Sequence, residues 1–471
     1  MKVLKIFFDA VPYIKFRGGI FTRKLFGTDG VRGVANKELT PELAFNLGKA
    51  GIYILTKEMN RSPKVLVGMD TRVSGDMLEA ALIAGMLSVG ADAVTCGVIP
   101  APAVAHLVRE YNCDAGVVIS ASHNQFSDNG IKFFNSDGYK LKDELEDEIE
   151  DIIFNRLDEL QLPVGKKLGK RIVCETAVDD YVEFLKSTLD GSKLDGLKVA
   201  IDCANGATYE SAPLVLFDLG AETSVIHNEP DGFNINEKCG STHLDSLVEF
   251  VKENNADIGI AFDGDGDRLM AVDENGEIVD GDQIMAVYAK YLHDRNELKG
   301  NTLVATVMSN LGLFIMGKEE KIHIEQTAVG DRYVLERMLE GDFMLGGEQS
   351  GHIINLKYNT TGDGILSALQ LLKIMKETGK KLSELTKIIQ VLPQVMVNAK
   401  INNEKKRNYM ENEVIRKEIE ALEKKFSGEG RVLIRPSGTE PLVRVMIEGK
   451  DKAQLQSEAE HLAALLEQHL G

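Results

Sequence analysis

Residues 258–268 read Ile-Gly-Ile-Ala-Phe-Asp-Gly-Asp-Gly-Asp-Arg, a short apolar run followed directly by three acidic residues at alternate positions. An apolar run of this length that ends in turn-forming residues is typical of a buried strand. Three neighbouring carboxylates repel one another unless a cation lies among them, and the glycines allow the backbone to curl around it. The stretch therefore predicts a strand whose carboxyl end presents Asp263, Asp265 and Asp267 to a hard divalent cation.

The same stretch partly fits a calcium-binding EF-hand loop. Asp263, Asp265, Asp267 and Glu274 occupy its first three side-chain ligand positions and its last one. However, the turn position that requires glycine is Arg268, and the flanking residues have strand character. We therefore exclude an EF-hand, which leaves an acidic surface turn as the alternative to a catalytic metal site.

Similar apolar runs precede polar or glycine-rich clusters elsewhere in the chain and predict further buried strands. These strands cover residues 64–68, 116–119, 198–201, 303–307 and 343–345. Helical patterns lie between them, including 40–57, which starts with a Thr-Pro capping pair, and 76–89. Strands that alternate with helices predict α/β domains, whose ligand sites lie beyond the carboxyl ends of the strands.

The chain also contains a weak internal repeat. A Gly-Ala-acidic turn that leads to an apolar strand occurs within residues 90–120 and again within 220–263, and residues 342–348 resemble its end. Such copies suggest duplicated domains that each contribute one loop to a shared cleft. Beyond them the pattern changes, and a small α+β domain is predicted from a charged helix at 405–425, strands at 431–434 and 443–447, and a helix at 453–470.

The composition limits the classes of protein to which the chain can belong. Its 471 residues are 44% hydrophobic and 27% charged, the balance of a globular protein with several domains. The net charge is −19 and there is no long basic run, so neither nucleic acid nor an anionic membrane surface is an expected partner. No apolar stretch reaches the length of a membrane span. The five cysteines form no Cys-x-x-Cys pair and indicate reduced thiols in the cytoplasm.

A serine-containing cluster, Ser-Ala-Ser-His-Asn at residues 120–124, follows one of the predicted strands. The strand would present Ser122 at the carboxyl edge of its sheet, with His123 beside it. Taken alone, such a pair is more often a turn or capping serine, and the cluster lacks the Gly-x-Ser-x-Gly pattern of a hydrolase nucleophile. The acidic cluster and the loops described next favour Ser122 as a reactive residue.

Three further loops carry groups suited to a phosphorylated sugar. Residues 435–439 supply a guanidinium, two hydroxyls and glycine-exposed N–H groups, a combination that suits a phosphate dianion. Residues 26–33 form a glycine-rich loop that contains Arg32, and residues 347–352 offer a carboxylate, an amide, a hydroxyl and an imidazole, which suit sugar hydroxyls. Each loop taken alone could be an ordinary turn. No Walker or dinucleotide-binding motif is present, so a nucleotide cofactor is not indicated.

Together these motifs, in their order along the chain, resemble the α-D-phosphohexomutase superfamily: FGTDGVRG at 26–33, ISASHN at 119–124, DGDGDR at 263–268, GGEQSGH at 346–352 and RPSGTEP at 435–441. The resemblance begins at about residue 25 and implies three similar mixed-sheet α/β domains and a smaller C-terminal α+β domain around a central cleft. We place the phosphoserine loop in a domain at 25–175, the metal loop at 176–277, the sugar loop at 278–391 and the phosphate loop at 392–471. Residues 1–24 would be a disordered extension.

The resemblance also implies an activity and residues that carry it. The expected reaction interconverts glucosamine 6-phosphate and glucosamine 1-phosphate, on the route to UDP-N-acetylglucosamine, through a phosphoserine and glucosamine 1,6-bisphosphate. One Mg²⁺ per subunit would be held by the phosphate of Ser122 with Asp263, Asp265 and Asp267. A cytoplasmic homodimer is expected. The catalytic candidates are Ser122, His123, Lys132 and His352, and the substrate-binding candidates are Arg32, Arg268, Glu348, Ser350, Arg435, Ser437, Gly438, Thr439 and Arg444.

Alternatives stay open at this stage. A phosphomannomutase or phosphoglucomutase would share these motifs, and the chemistry of the residues does not choose among the sugars. A metal-dependent sugar phosphatase would keep the acidic cluster without needing a separate phosphate clamp, and a non-catalytic sugar-phosphate binder would not need Ser122. Lys132 and His352 are both candidates for the general acid or base. Gln125 stands where the superfamily usually has proline, which is expected to loosen the serine loop.

Overall fold

The computed structural model describes residues 25–471, except residues 28, 58, 60, 403–404, 406–407, 427–429 and 438–440. The extension predicted at residues 1–24 lies outside the described residues. The described chain forms four successive β-sheets with seven, five, four and three strands. Helices alternate with the strands in the first three sheets, which confirms the predicted fold class. Among the residues described, no helix has the length and apolar character needed to cross a membrane.

The first sheet is mixed, with β3, β4, β5 and β7 parallel and β2 and β6 antiparallel to their neighbours, in the order β1-β2-β6-β5-β3-β4-β7. Its strands are β1 (Phe26–Gly27), β2 (Gly30–Val34), β3 (Lys64–Met69), β4 (Asp92–Val98), β5 (Ala115–Ile119), β6 (Asp128–Asn135) and β7 (Arg171–Val173). Its helices are α1 (Pro41–Thr56), α2 (Gly75–Ser88), α3 (Ala101–Glu110) and α4 (Asp143–Asp151).

Helices α1 and α2 pack unusually closely against each other. The hydroxyl of Thr40 caps α1 by accepting the N–H of Leu43 at 3.2 Å, as the Thr-Pro pair predicts. A Cβ at Gly48 would lie 2.2 Å from the carbonyl oxygen of Leu82, and one at Gly85 would lie 2.1 Å from that of Phe45. The two glycines therefore allow the helix backbones to touch and to cover one face of the first sheet.

The second and third sheets are also mixed, with orders β12-β11-β10-β8-β9 and β14-β13-β15-β16. The second contains β8 (Lys198–Asp202), β9 (Glu222–Ile226), β10 (Ile258–Phe262), β11 (Leu269–Asp273) and β12 (Ile278–Val279), with α5 (Ala177–Ser187), α6 (Ser211–Asp218) and α7 (Asp245–Asn254). The third contains β13 (Thr302–Thr306), β14 (His323–Thr327), β15 (Leu345–Gly347) and β16 (Ile353–Asn355), with α8 (Gly281–Asp294), α9 (Leu311–Glu319), α10 (Asp331–Gly341), α11 (Gly364–Thr378) and α12 (Leu382–Leu385).

The fourth sheet is antiparallel and has the order β17-β19-β18. It contains β17 (Gln394–Lys400), β18 (Arg431–Pro436) and β19 (Leu442–Glu448), with α13 (Glu413–Phe426) and α14 (Lys452–Leu470). Two sequence expectations need correction. The charged helix predicted at 405–425 starts at Glu413, because the Asn412 side chain accepts the N–H groups of Val414 and Ile415 and begins the helix there. The strand predicted at 343–345 is shifted toward the C-terminus and occupies Leu345–Gly347, opposite Ile353–Asn355.

The third and fourth sheets are joined by polar contacts around the loop after β13. The Asn310 side chain donates to the carbonyl of Leu392 at 3.0 Å and accepts the N–H of Leu392 at 3.0 Å. Arg431 of β18 pairs with the buried Glu448 and donates to the carbonyl groups of Val307, at 3.0 Å, and Ser309. These contacts fix the fourth sheet to the loop after β13.

Asp282, in the first turn of α8, makes this junction sensitive to pH. Its side chain is fully buried and accepts the N–H of Asn310 at 2.6 Å. Burial, reinforced by the charge of Asp280, raises the pKa of Asp282 to about 7. Because this pKa lies above the value of about 3.9 in an unfolded chain, the folded state binds the proton more tightly. The contribution of Asp282 to stability is therefore full below about pH 4 and falls as the pH rises toward 7.

We expect Asp282→Asn to stabilise the protein at pH 8 relative to wild type, by up to about 4 kcal/mol if the whole shift acts on stability, and to have little effect at pH 4. Thermal unfolding of both proteins across this range would measure the difference. Asp294→Asn, at the exposed end of the same helix, is the matched control and should show no such pH-dependent difference. An Asp282→Asn effect of equal size at both pH values would contradict the expectation.

Candidate active site

Ser122 lies directly beyond β5 and faces the acidic cluster beyond β10. Its side chain is 1% exposed and its backbone is left-handed, with φ of 53°. The hydroxyl Oγ donates to Asp263 Oδ2 at 2.6 Å and lies 3.3 Å from His123 Nδ1. Burial, together with the charges of Arg268 and Arg32, lowers the pKa of His123 to about 4, so its imidazole is neutral at pH 7. The serine and the acidic cluster, predicted separately, thus form one site.

The serine loop is held through its backbone carbonyl groups by Arg72 and Asn236. The Arg72 guanidinium donates to the carbonyls of Ser122 and Asn124, at 3.0 and 2.7 Å, and to that of Gln125. Asn236 donates to the same carbonyls of Ser122 and Asn124, at 2.9 Å each. The carbonyl of Gln125, at the position where proline is usual in the superfamily, is therefore bonded to a buried guanidinium.

Asp263, Asp265 and Asp267 are 0%, 0% and 5% exposed. Each offers a carboxylate oxygen within 4.8 Å of those of the other two. The Oδ1 atoms of Asp265 and Asp267 are buried without a hydrogen-bond partner among the described residues. Burial, with repulsion from Asp267 and Asp265, raises the pKa of Asp263 well above its usual range. Unpartnered oxygens and mutual repulsion both fit a bound divalent cation with oxygen ligands.

Glycine allows the metal loop to touch the serine loop. A Cβ at Gly264 would lie 2.5 Å from the carbonyl oxygen of Ser122, and a Cβ at Gly206 would lie 2.5 Å from the carbonyl oxygen of Gly264. Gly266 has φ of 71°, a conformation that other residues rarely adopt. The alternation of Asp and Gly therefore serves the backbone approach as well as the spacing of the carboxylates.

Lys132, on β6, connects the metal loop to the glycine-rich loop near the start of the described chain. Its ammonium lies 2.7 Å from Asp265 Oδ2, 2.8 Å from Asp29 Oδ2 and 3.9 Å from Asp267 Oδ2. Burial lowers the pKa of Lys132, but the charges of Asp265 and Asp29 outweigh this effect and raise it. Lys132 is therefore an ammonium in this site.

His352 contacts Asp267 as well, with Nδ1 at 3.4 Å from Asp267 Oδ2 and Nε2 at 3.8 Å from Asp331 Oδ2. Two observations on its charge disagree. Burial lowers the pKa of His352, but the Asp267 carboxylate outweighs this effect, so the pKa is raised and a charged ring is favoured. In contrast, the N–H of Gly362 donates to Nε2 at 3.1 Å and needs a lone pair there, which only a neutral ring offers. We favour the neutral ring with its proton on Nδ1, because a cation held by Asp267 would weaken the carboxylate's effect on the pKa.

The remaining predicted residues occupy different sides of the cleft. Arg32 pairs with Asp29, Arg268 Nε lies 4.0 Å from Asp267 Oδ1, and both Nε atoms are buried without a hydrogen-bond partner in the described part of the chain. Glu348 Oε1, beyond β15, accepts the N–H of Gly330 at 3.0 Å.

Ser350, in the same loop as Glu348, is exposed. On the fourth sheet, Arg435 of β18 is directly opposite Arg444 of β19, and the N–H of the buried Ser437 donates to the carbonyl of Leu442 at 2.9 Å. The candidates Gly438 and Thr439 lie outside the described residues.

Sequence reasoning missed Asp29, Lys140, Asn236 and Asp331 as members of the site. Burial raises the pKa of Asp29, but the charges of Lys132 and Lys140 hold it well below its usual range. Lys140 also pairs with Asp331 at the start of α10. Asp29 lies within the glycine-rich loop at 26–33 and could have been found there, whereas no local pattern distinguishes the other three residues.

Known proteins resemble this chain over almost its whole length. Four family models match, described as phosphoglucomutase/phosphomannomutase alpha/beta/alpha domains I, II and III and C-terminal domain, at residues 23–159, 179–276, 280–392 and 396–465. A phosphoglucosamine mutase from Ruminiclostridium cellulolyticum is 63% identical over 95% of this chain and 99% of that protein.

Solved structures share the fold. A phosphoglucomutase/phosphomannomutase family protein from Burkholderia thailandensis has a TM-score of 0.77 and 24% identity, over 94% of this chain and 97% of that one. An N-acetylphosphoglucosamine mutase from Aspergillus fumigatus, solved with GlcNAc-6P and magnesium, has a TM-score of 0.68 and 17% identity, over 94% and 96% of the two chains. By its family models and its curated relative, the chain belongs to the phosphoglucomutase/phosphomannomutase family and, within it, to the phosphoglucosamine mutases.

Proposed function

We propose that the protein interconverts glucosamine 6-phosphate and glucosamine 1-phosphate through a phosphoserine at Ser122 and glucosamine 1,6-bisphosphate. The observation that carries the proposal is the 2.6 Å contact between Ser122 Oγ and Asp263 inside a triad of buried carboxylates. A phosphoryl group on this hydroxyl would lie beside the oxygens that are suited to a cation. The names of the curated relative and of the Aspergillus structure support an amino sugar as the substrate.

Asp263, Asp265 and Asp267, together with the Ser122 phosphate, would hold one Mg²⁺. When bound, the ion would neutralise charge on the phosphoryl oxygens and align them for transfer. The chain itself aligns the serine: Arg72 and Asn236 fix the carbonyl of Ser122, and the hydrogen bond from Oγ to Asp263 directs the side chain before the substrate arrives.

Proton transfer requires a group that can serve both the sugar hydroxyl and the serine oxygen. Lys132 is held as an ammonium between Asp265 and Asp29, so it can donate a proton to a departing oxygen but offers no lone pair to accept one. The neutral His123, 3.3 Å from Ser122 Oγ, offers the complementary capacity, whereas the Nε2 lone pair of His352 is already taken by the N–H of Gly362. We assign the general acid to Lys132 and a supporting base to His123.

The substrate must be held in two orientations, because each of its two phosphate positions faces Ser122 in turn. Glu348 and Ser350 would bind sugar hydroxyls, while Arg32 and Arg268 would bind the phosphate near the metal. The loop with Arg435, Ser437, Gly438 and Thr439, and Arg444 on the adjacent strand, would grip the phosphate that is not reacting. A phosphatase has no need of such a second phosphate site.

We infer domains at residues 25–175, 176–277, 278–391 and 392–471, a homodimer, and a location in the cytoplasm, where free thiols such as those of the five cysteines persist.

The first test is the state of Ser122. We expect intact-mass and peptide analysis of the purified protein to find one phosphate on Ser122, since a mutase at rest must be able to phosphorylate its first substrate. Ser122→Ala should lose both the phosphate and isomerisation. Ser127→Ala, an exposed hydroxyl in the same loop, is the matched control and should keep both. Full isomerisation by Ser122→Ala would refute the phosphoserine mechanism.

Removal of the metal is the second test. Chelation should abolish isomerisation and Mg²⁺ should restore it, because three buried carboxylates and a phosphoserine cannot stay together without a cation. Ca²⁺ should bind but support less turnover, since its looser coordination aligns phosphate oxygens poorly. Isomerisation rates after chelation and addition of each ion would show this. Undiminished activity after exhaustive chelation would exclude the three aspartates as the site of an essential metal.

The third test concerns Arg435. Loss of one charge-assisted hydrogen bond costs roughly 1.5–3 kcal/mol, so Arg435→Ala should weaken substrate binding by about ten- to hundredfold. The variant should raise KM and also lower kcat, because the bisphosphate escapes before it turns around, and added glucosamine 1,6-bisphosphate should partly restore the rate. Arg416→Ala, on the exposed face of α13, is the control. Wild-type kinetics in Arg435→Ala would show that this residue does not hold the distal phosphate.

A further inference from the structure

Asp331 begins α10 at the wall of the cleft and is not explained by metal binding. Its side chain is 15% exposed, and Oδ2 pairs with Lys140 and lies 3.8 Å from His352 Nε2. The preceding residue, Gly330, has φ of 132° and donates its N–H to Glu348 at 3.0 Å. Asp331 is therefore next to Gly330, which is bonded to Glu348 of the predicted sugar loop. The imidazole of His352 separates it from Asp267 of the metal loop.

The cations around Asp331 do not fully compensate the negative charge of its carboxylate. Lys140 divides its single charge between Asp331 and Asp29, whereas Asp29 also pairs with Lys132 and Arg32. His352 Nε2 lies 3.8 Å from Asp331 Oδ2, beyond hydrogen-bond distance, and accepts the N–H of Gly362 at 3.1 Å. The N–H of Arg332 donates to Asp331 Oδ1 at 2.9 Å but carries no formal charge. The charge of Asp331 is thus incompletely neutralised in a cleft where, under the proposed function, the sugar lies between Ser122 and Glu348.

Glucosamine phosphates differ from glucose phosphates at C2, where an ammonium replaces a hydroxyl. We propose that Asp331 recognises this ammonium and thereby selects glucosamine phosphates over the neutral hexose phosphates. The inference rests on the proposed function and deepens it, since the motifs themselves do not choose among the sugars. A carboxylate binds an ammonium more strongly than a hydroxyl because the hydrogen bond is charge-assisted.

The other carboxylates of the cleft are less suited to this role. Asp263, Asp265 and Asp267 are the metal ligands, and a substrate ammonium near them would be repelled by the cation. Asp29 already has three cationic partners. Glu348 is closest in character, and its Oε1 accepts the N–H of Gly330 just as Asp331 Oδ1 accepts the N–H of Arg332, but the proposed function already assigns Glu348 to the sugar hydroxyls.

Helix α10 has anchors besides the Asp331 side chain, whose Oδ1 accepts the N–H of Arg332 at 2.9 Å. The adjacent Arg332 turns away from the cleft and bonds both oxygens of Glu146, at 3.1 and 3.0 Å, on α4 of the first domain. At the next turns of the helix, Arg337 bonds Glu325 at 3.0 Å. A change from carboxylate to amide at Asp331 should therefore alter charge in the cleft without releasing the helix.

The test is the ratio of kcat/KM for glucosamine 6-phosphate to that for glucose 6-phosphate. We expect Asp331→Asn to lower this ratio by about ten- to hundredfold, the loss typical of one charge-assisted hydrogen bond, mainly through the glucosamine substrate. N-acetylglucosamine 6-phosphate, whose C2 nitrogen is uncharged, should behave like glucose 6-phosphate. Asp331→Glu, which keeps the charge, should retain part of the preference.

Glu325→Gln is the matched control, because it neutralises a carboxylate that contacts the same helix outside the cleft, and it should leave the ratio unchanged. If Asp331 only positions Lys140, Asp331→Asn should lower kcat/KM equally for both substrates and leave their ratio unchanged. An unchanged ratio would overturn the proposal. Circular dichroism would check folding, and Asp331→Ser provides a second uncharged variant with the same expectation. Failure of the wild-type enzyme to turn over glucosamine 6-phosphate would instead refute the proposed function. This outcome is measured on the wild type alone and is therefore distinct from failure of the Asp331 proposal.

Discussion

The repulsion among Asp263, Asp265 and Asp267 is the constraint on which the rest of the site depends. Their carboxylate oxygens lie within 4.8 Å of one another in the interior of the protein. At an effective dielectric constant of about 20, each pair of charges at that separation repels by about 3.5 kcal/mol. Among the described residues, the Lys132 ammonium contacts Asp265 and Asp267 but is shared with Asp29, and the Arg268 guanidinium comes only within 4.0 Å of Asp267. The cluster therefore persists as three carboxylates only if a cation is bound, so metal binding and the integrity of this loop are coupled.

The fold meets this constraint by bringing loops from different sheets to one point. Ser122 follows β5 and the acidic loop follows β10, each directly beyond the carboxyl end of a buried strand. Gly264 allows the two loops to touch at backbone distance. Lys132, from the first sheet, then contacts Asp265, and His352, from the loop between β15 and β16 of the third sheet, contacts Asp267. Because these groups come from the first, second and third sheets, none of the described sheets carries the whole site by itself.

The sequence predicted the parts of this arrangement that are local. Asp263, Asp265 and Asp267 are close in the chain, so their mutual repulsion is visible without a structure, and the strand at 258–262 was predicted at its observed bounds. The contact between Ser122 and Asp263 spans 141 residues and leaves no periodic signal. The same holds for the pairing of Lys140 with Asp331, 191 residues apart. Charges that neutralise each other across domains look like ordinary surface charges when read along the chain.

The division between lysine and arginine shows how an acidic protein can bind phosphate. Lys132 and Lys140 are each shared between carboxylates, so their charges stabilise the protein's own acids. Arg32 and Arg268 instead retain buried Nε atoms that lack hydrogen-bond partners among the described residues. A guanidinium offers several donors in a fixed plane, so it can pair with an internal carboxylate and still present donors to a phosphate. The net charge of −19 is therefore compatible with a dianionic substrate, because the capacity for phosphate depends on unused donors at the cleft and not on the sum of charges.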